Sequence, residues 1–409
     1  MGLSVTVAKM PRASSRTAVL LTIITRARPL IMGLALLAVV FVTLQRSVFA
    51  HTHTTFPVFR ESYHHLVLGQ DLYAAYPSEQ GTDPSDRFKY SPTAAVLFGP
   101  FALPPMPVGL FLWNLLNAGA LFLALSTLLH RRAATLTFVF VFPWLFHAVQ
   151  SSSSNALVAS LILFAFIALE RNRMRAGAAL IALGTLIKIF PIAGIAFALF
   201  HPRRARFAVA LVLSLMALIA IPLALATPAE LAAQYQSWRG MVTFDELDLE
   251  FGRSVMSMLR NTFSVAMPNW PFQAAGTILL LVPVAMNRRR WSDPDFRLRF
   301  LCSLLVFAVI FNHQAEHPSF VIAATGLAIW FATSRKTVWR AGLFVFCLVG
   351  LEPLPFTLLW LAMQTELLLT PVPVKEARRS GSHDVLLFTT QEHLLGTAGG
   401  TTLSRAAQD

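Results

Sequence analysis

The chain has 409 residues, 56% of them hydrophobic and only 13% charged, with a formal net charge of +13. Soluble domains carry about a quarter charged residues, so this composition leaves too little polar surface to cover a fold of this length in water. The basic surplus does not point to nucleic acid: Lys and Arg come in short clusters between apolar runs of roughly 17–25 residues, the arrangement that orients membrane helices. The runs are apolar all round rather than alternating, which favours helices over a β-barrel.

Residues 1–28 form a basic segment (Lys9, Arg12, Arg16, Arg26, Arg28) expected in the cytoplasm ahead of a retained first span, Pro29 to Val48. A polar outer loop follows, 50–91, holding Glu61, Asp71, Asp83 and Asp86 with Arg60, Arg87 and Lys89. From Pro92 to Pro107 three internal prolines interrupt the apolar run, which predicts an interfacial or re-entrant element rather than a straight span. A full span then ends at His130-Arg131-Arg132, and a hairpin turns outward at 150–155 before returning to Arg171, Arg173 and Arg175.

The segment Ala176–Phe200 is basic at both ends, since Arg203, Arg204 and Arg206 follow it. Equal flanks require an even number of crossings, yet the segment is about one span long, and Lys188 and Pro191 interrupt it. It is expected to form two broken half-helices dipping from the cytoplasmic side, or two short spans. A span to Leu225 leads into a second polar loop, 226–269, with Glu230, Asp245, Glu246, Asp248 and Glu250. The return to Arg288-Arg289-Arg290 precedes a hairpin around His313, Glu316 and His317, and two last pieces broken at Glu352-Pro353. The whole of 29–373 reads as an all-α polytopic bundle of about 9–12 membrane segments. The tail, 374–409, is polar and weakly patterned, and is expected to be cytoplasmic and disordered. Cys302 and Cys347 lie in apolar runs and read as small buried hydrophobes.

Several segments are familiar in combination. Phe56-Pro-Val-Phe59, Gly69-Gln-Asp-Leu-Tyr73, Pro77, Phe88-Lys-Tyr-Ser-Pro92, Leu112-Trp113-Asn114, Gln150 with Asn155-Ala-Leu157, and Leu186-Ile-Lys-Ile-Phe-Pro191 occur in that order. Together they resemble glycosyltransferase family 87 over most of 50–330. The resemblance implies a GT-C-type bundle and a mannosyl- or arabinofuranosyltransferase that uses a polyprenyl-phosphate sugar as donor. It also implies a glycan or glycolipid acceptor on the outer face of a bacterial inner membrane, with the N-terminus cytoplasmic. One departure matters: where the family opens its first outer loop with the acid read as catalytic base, this chain has Thr55.

Such a transferase needs a carboxylate at the membrane boundary to deprotonate the acceptor, and cations to neutralise the lipid phosphate. Glu61, Asp71 and Glu316 are the candidate bases. Arg60, Lys89, Lys188, Arg253 and His313 are the candidate donor-binding residues. Lys188 stands out, because a lysine inside an apolar segment is costly and usually functional; the bland alternative is a lysine snorkelling to the cytoplasmic surface. Glu61 could equally be an ion-pair partner, and Asp71 a turn cap. His51, His53, His64 and His65 read as interfacial histidines, with no metal site and no cofactor assigned. Two other functions fit the same features: a transporter or flippase for a lipid-linked substrate, which should show two related halves, and an inactive paralogue that binds polyprenyl lipid.

Overall fold

The computed structural model describes residues 28–46, 55–74, 87–247, 252–264 and 268–369. The tail 374–409, the basic segment up to residue 27, His51, His53, Asp83, Asp86, Asp248 and Glu250 lie outside the described residues, as do the side chains of Asp245 and Glu246. Every regular element among the described residues is helical. That is the state apolar segments must take in hydrocarbon, where a helix satisfies its backbone groups internally. Four helices, Met106–Leu128, Arg131–Gln150, Arg204–Ala224 and Asn269–Met286, are long and apolar enough to cross a membrane, and shorter apolar helices accompany them.

In chain order, α1 spans Arg28–Leu44, α2 Thr55–Val67, α3 Pro92–Ala102, α4 Met106–Leu128, α5 Arg131–Gln150 and α6 Asn155–Glu170. Next come α7 Met174–Ile187, a 3-10 leg Phe190–Phe200, and α8 Arg204–Ala220. The second polar loop contributes α9 Pro228–Leu247 and α10 Val255–Phe263. The last group is α11 Asn269–Met286, α12 Pro294–Ile310, α13 Phe320–Thr333, α14 Val338–Val349 and α15 Leu354–Leu369. Helices α12 and α13 form the centre, with Phe300, Leu301, Leu304, Leu305, Phe320 and Leu327 fully buried. By contrast α8 leaves Val209, Val212, Leu213 and Met216 exposed, an apolar face suited to lipid.

The connections sort into two ends. At one, Arg28 donates to Ser126 (2.8 Å) near the close of α4, and Arg297 grips Glu170 through two bonds of 2.7 Å, joining the start of α12 to the end of α6. At the same end Arg340 pairs with Glu366 (2.6 Å), joining the start of α14 to the end of α15. The Arg131, Arg173, Arg204 and Arg289 turns all belong to this basic end, and the described parts of both acidic loops belong to the other.

At that far end α2 and α3 pack against one another. The N-cap serine of α3, Ser91, donates to Leu186 O at the top of α7 (2.5 Å), while the α3 carbonyl of Ala102 accepts from Arg60 Nε (3.3 Å). Helix α4 restarts at once, and its Trp113 Nε1 already bonds Ser152 O (2.7 Å) in the α5–α6 turn. The prolines therefore separate two helices, and residues 92–107 form no straight span. The two polar loops clasp one another. Gln234 of α9 bonds Leu72 N (3.0 Å) and Gln70 O (2.8 Å), Ser237 bonds Asp71 (2.8 Å), and Trp238 bonds Lys89 O (3.1 Å).

The doubly basic segment forms two short legs joined by a turn. Fourteen α-helical residues in α7 rise about 21 Å, and the eleven residues of the 3-10 leg return about 22 Å, because that helix is more extended per residue. Pro191 opens the leg, and it packs so closely on α7 that a Cβ at Gly184 would lie 2.7 Å from its Cγ. The turn between the legs carries Lys188, and it reaches the first residue of α6 at the far end.

Candidate active site

Lys188 is the C-cap residue of α7, half-buried, with extended backbone (φ −156°, ψ 140°). Its Nζ donates to Asn155 Oδ1 at 3.0 Å. Asn155 is fully buried at the start of α6 and holds its own amide against Ser153 Oγ (3.2 Å). The ammonium also lies 5.3 Å from the Phe190 ring and 6.0 Å from the Tyr90 ring. Such spacing allows a modest cation–π attraction. Lys188 sits at the end opposite Arg173 and Arg203.

The charges that act on this ammonium are Glu316 and Lys89. The carboxylate comes from a distant part of the chain. Glu316 lies 128 positions away in the chain, and only the α12–α13 turn brings it over α7. It caps the 3-10 turn His317–Ser319, receiving the Ser319 backbone N–H on its side chain while its own N–H bonds Ser319 Oγ (3.2 Å). One oxygen satisfies the cap, and a carboxylate retains further acceptor sites. Glu316 is exposed, and it also acts on the Tyr90 phenol. Burial pushes that phenol's pKa up, the carboxylate adds to the rise, and the Ser154 hydroxyl beside it opposes it. Tyr90 is placed by its ring contact with Phe59 (4.9 Å) and by Tyr73 Oη on its carbonyl (2.7 Å).

The other expected residues fall elsewhere. Arg60 and Glu61 pair with one another on α2 (3.2 Å). Asp71 is exposed, accepting from Tyr73 N (3.1 Å) as a turn cap and from Ser237. Thr55, at the start of α2, gives both its N–H (3.1 Å) and its hydroxyl (2.7 Å) to Ser151 O. His64 and His65 are neighbours on α2, with His65 buried. Arg253 donates its backbone N–H to Ala315 O (2.5 Å), and His313 Nδ1 faces Gln273 Nε2 at 3.4 Å, so both border the loop that carries Glu316. Gly252 makes that docking possible: its φ is +100°, and a Cβ there would lie 2.0 Å from His313 O.

Beside Glu316 the structure gathers a second group. Glu352, between α14 and α15, has a side chain only 5% exposed and receives His317 Nδ1 at 2.8 Å. Arg253 Nη1 stands 3.7 Å from the same carboxylate oxygen, and the Trp144 side chain also bonds Glu352. The His317 ring meets His147 edge-on, centroids 4.7 Å apart. Burial pushes the Glu352 carboxyl above the ordinary carboxylate range, and His317 and Arg253 oppose that rise. Sequence reading treated Glu352 only as a break. An acid isolated between apolar runs is itself a functional signal in a membrane protein, and would have found it.

The fold and these clusters define a multi-pass, all-helical membrane protein with polar chemistry gathered at one end of its bundle. The chain belongs to glycosyltransferase family 87, whose model matches residues 88–312. That stretch includes Lys89, Tyr90, Asn155 and Lys188, and stops just short of His313 and Glu316. Among solved structures the chain is similar to the oligosaccharyltransferase of Archaeoglobus fulgidus in its apo form, at 14% identity and a TM-score of 0.38, over 81% of this chain and 55% of that one. It is also similar to the archaeal oligosaccharyltransferase AglB of the same organism in complex with an inhibitory peptide and a dolichol-phosphate, at 14% identity and 0.36, over 83% and 56%. The chain thus spans little more than half the length of either. No curated protein matches it in sequence.

Proposed function

We propose that this membrane glycosyltransferase moves a mannose- or arabinose-like sugar from a polyprenyl-phosphate donor to an acceptor hydroxyl. Transfer takes place on the outer face of a bacterial inner membrane, with the basic end of the bundle in the cytoplasm. The observation that carries this reading is that Lys188 and Glu316 lie at the same end of the bundle, away from the basic turns, near enough for the carboxylate to act on the ammonium. The Lys188 ammonium there is suited to an anion at the membrane boundary. In the proposed step Glu316 takes the acceptor's hydroxyl proton, and the freed oxygen bonds the anomeric carbon. The bond from that carbon to the phosphate oxygen breaks, its electron pair leaves on the phosphate, and Lys188 and Lys89 neutralise the charge. Thr55 lacks a carboxyl and its hydroxyl is committed to Ser151, so the base must come from elsewhere.

The test is a reconstituted assay with tritiated polyprenyl-phosphate mannose and arabinose, in wild type, Lys188→Met, Lys188→Arg and Glu316→Gln. Lys188→Met should weaken donor binding at least tenfold and Lys188→Arg should retain part of it; Glu316→Gln should bind donor and lose transfer. The methionine variant leaves Asn155 Oδ1 unpaired, at a cost of about 1–3 kcal/mol, so its folding is checked by thermal unfolding. Unchanged affinity in Lys188→Met would end the phosphate-anchor role. Donor binding without transfer in wild type would favour the inactive lipid-binding paralogue, and lipid flipping that survives Glu316→Gln would favour a flippase.

A further inference from the structure

The cluster around Glu352 lies next to the proposed transfer site. Among the described residues its carboxylate stands against one guanidinium, with two imidazoles beside them. A neutralised cluster has no net attraction for a phosphate, yet it offers many donors and acceptors. That combination suits a polyol, which brings hydroxyls and no charge.

The geometry of His317 sharpens this. With Nδ1–H directed at Glu352 Oε2 (2.8 Å), a neutral ring is left with Nε2 as an acceptor, on a side chain 40% exposed. Arg253 is 51% exposed, and His147 is exposed as well. The carboxylate that orients them is buried and bonded by Trp144, so the exposed groups are held from behind by α5, the α12–α13 turn and the α14–α15 turn. A latch that served folding alone would have no need to leave its imidazole and guanidinium open. The two edge-on histidine rings also supply an aromatic wall, on which the apolar face of a sugar ring can pack.

We propose that His317 and Arg253, oriented by Glu352, form with His147 an acceptor subsite for an uncharged, hydroxyl-rich sugar, with His317 Nε2 accepting a hydroxyl's hydrogen bond. The assignment of this subsite to the acceptor rests on the transfer reading above. Donor phosphate is then held on the Lys188 side of Glu316 and the acceptor sugar on the His317 side, with the base between them.

The test uses the full chain in lipid nanodiscs, with empty nanodiscs as blank. Methyl α-mannoside and methyl α-arabinofuranoside serve as neutral probes, mannose 6-phosphate as the anionic one, and farnesyl phosphate as the donor probe. Glycoside binding is read by saturation-transfer NMR. The expected result is saturable binding of a neutral glycoside, at least tenfold tighter than mannose 6-phosphate. His317→Gln and Glu352→Gln should weaken it at least tenfold while changing farnesyl phosphate affinity less than twofold, and Lys188→Met should do the reverse. Should Glu352→Gln fail to fold, His317→Gln carries the test, because its side chain is exposed. The proposal is overturned if wild type binds no neutral glycoside, if His317→Gln binds it unchanged, or if the phosphorylated sugar binds more tightly. If farnesyl phosphate binds no form of the protein while the glycoside is lost in His317→Gln, the donor reading fails and the sugar subsite stands.

Discussion

Gly252 shows how much of the candidate site depends on single backbone positions. Its positive φ and its contact with His313 O let Arg253 reach both Ala315 O and Glu352. Gly252→Ala should cost about 1–3 kcal/mol from the strained conformation, with more from the clash. The thermal midpoint in detergent should fall and trypsin should cut faster after Arg253; an unchanged midpoint would show that the loop has another way to dock. Glu352 makes a second prediction at this scale. Its folded-state pKa is raised mainly by burial, so it contributes stability below the ordinary glutamate value and loses it as pH rises through the folded one. The stability of wild type relative to Glu352→Gln should therefore be greatest near pH 4.5 and decline toward pH 7. A difference that grew toward pH 7 would mean that Arg253 and His317 outweigh burial.

Among the elements, the hairpin of α7 and its 3-10 leg and the clamp between α6 and α12 do the positioning. The hairpin works because the more extended 3-10 helix recovers in eleven residues the height that α7 gained in fourteen, which delivers Lys188 to the start of α6. The clamp is the Arg297–Glu170 pair, with side chains 13% and 12% exposed. Removing one partner leaves a poorly solvated charge and should cost about 3–5 kcal/mol, whereas removing both is milder. Glu170→Leu alone should thus destabilise the protein more than Glu170→Leu with Arg297→Met, as measured by thermal unfolding in detergent. Equal losses would show that the pair is screened by water.

Across the whole molecule, the two ends of the bundle differ in charge, and this is directly measurable. With the basic end in the cytoplasm, a cysteine at position 173 should resist an impermeant thiol reagent in intact cells, and one at position 71 should react. Cys302 and Cys347 are buried, so the background from native thiols should be small. Labelling at 173 without labelling at 71 would invert the topology.

The sequence by itself determined the class of the fold. Apolar runs must be helical in hydrocarbon, the basic clusters assign their turns to one end, and the prolines of Pro92–Pro107 forbid a straight span there. It also singled out Lys188, a charge in a place where charge is costly, and, separately, Glu316, an acid at an outer turn that could replace the missing base. It could not pair them. Lys188 and Glu316 belong to different hairpins, and their distance depends on how α7 packs against α6 and on where the α12–α13 turn falls above it. Glu352, His317 and Arg253 likewise come from three separate turns, and Asp71 and Glu61, equally acidic on paper, find partners in Ser237 and Arg60. Periodicity and charge act locally along the chain and so are legible in it. The meeting of turns is settled by side-chain packing between distant helices, and only the tertiary structure decides it.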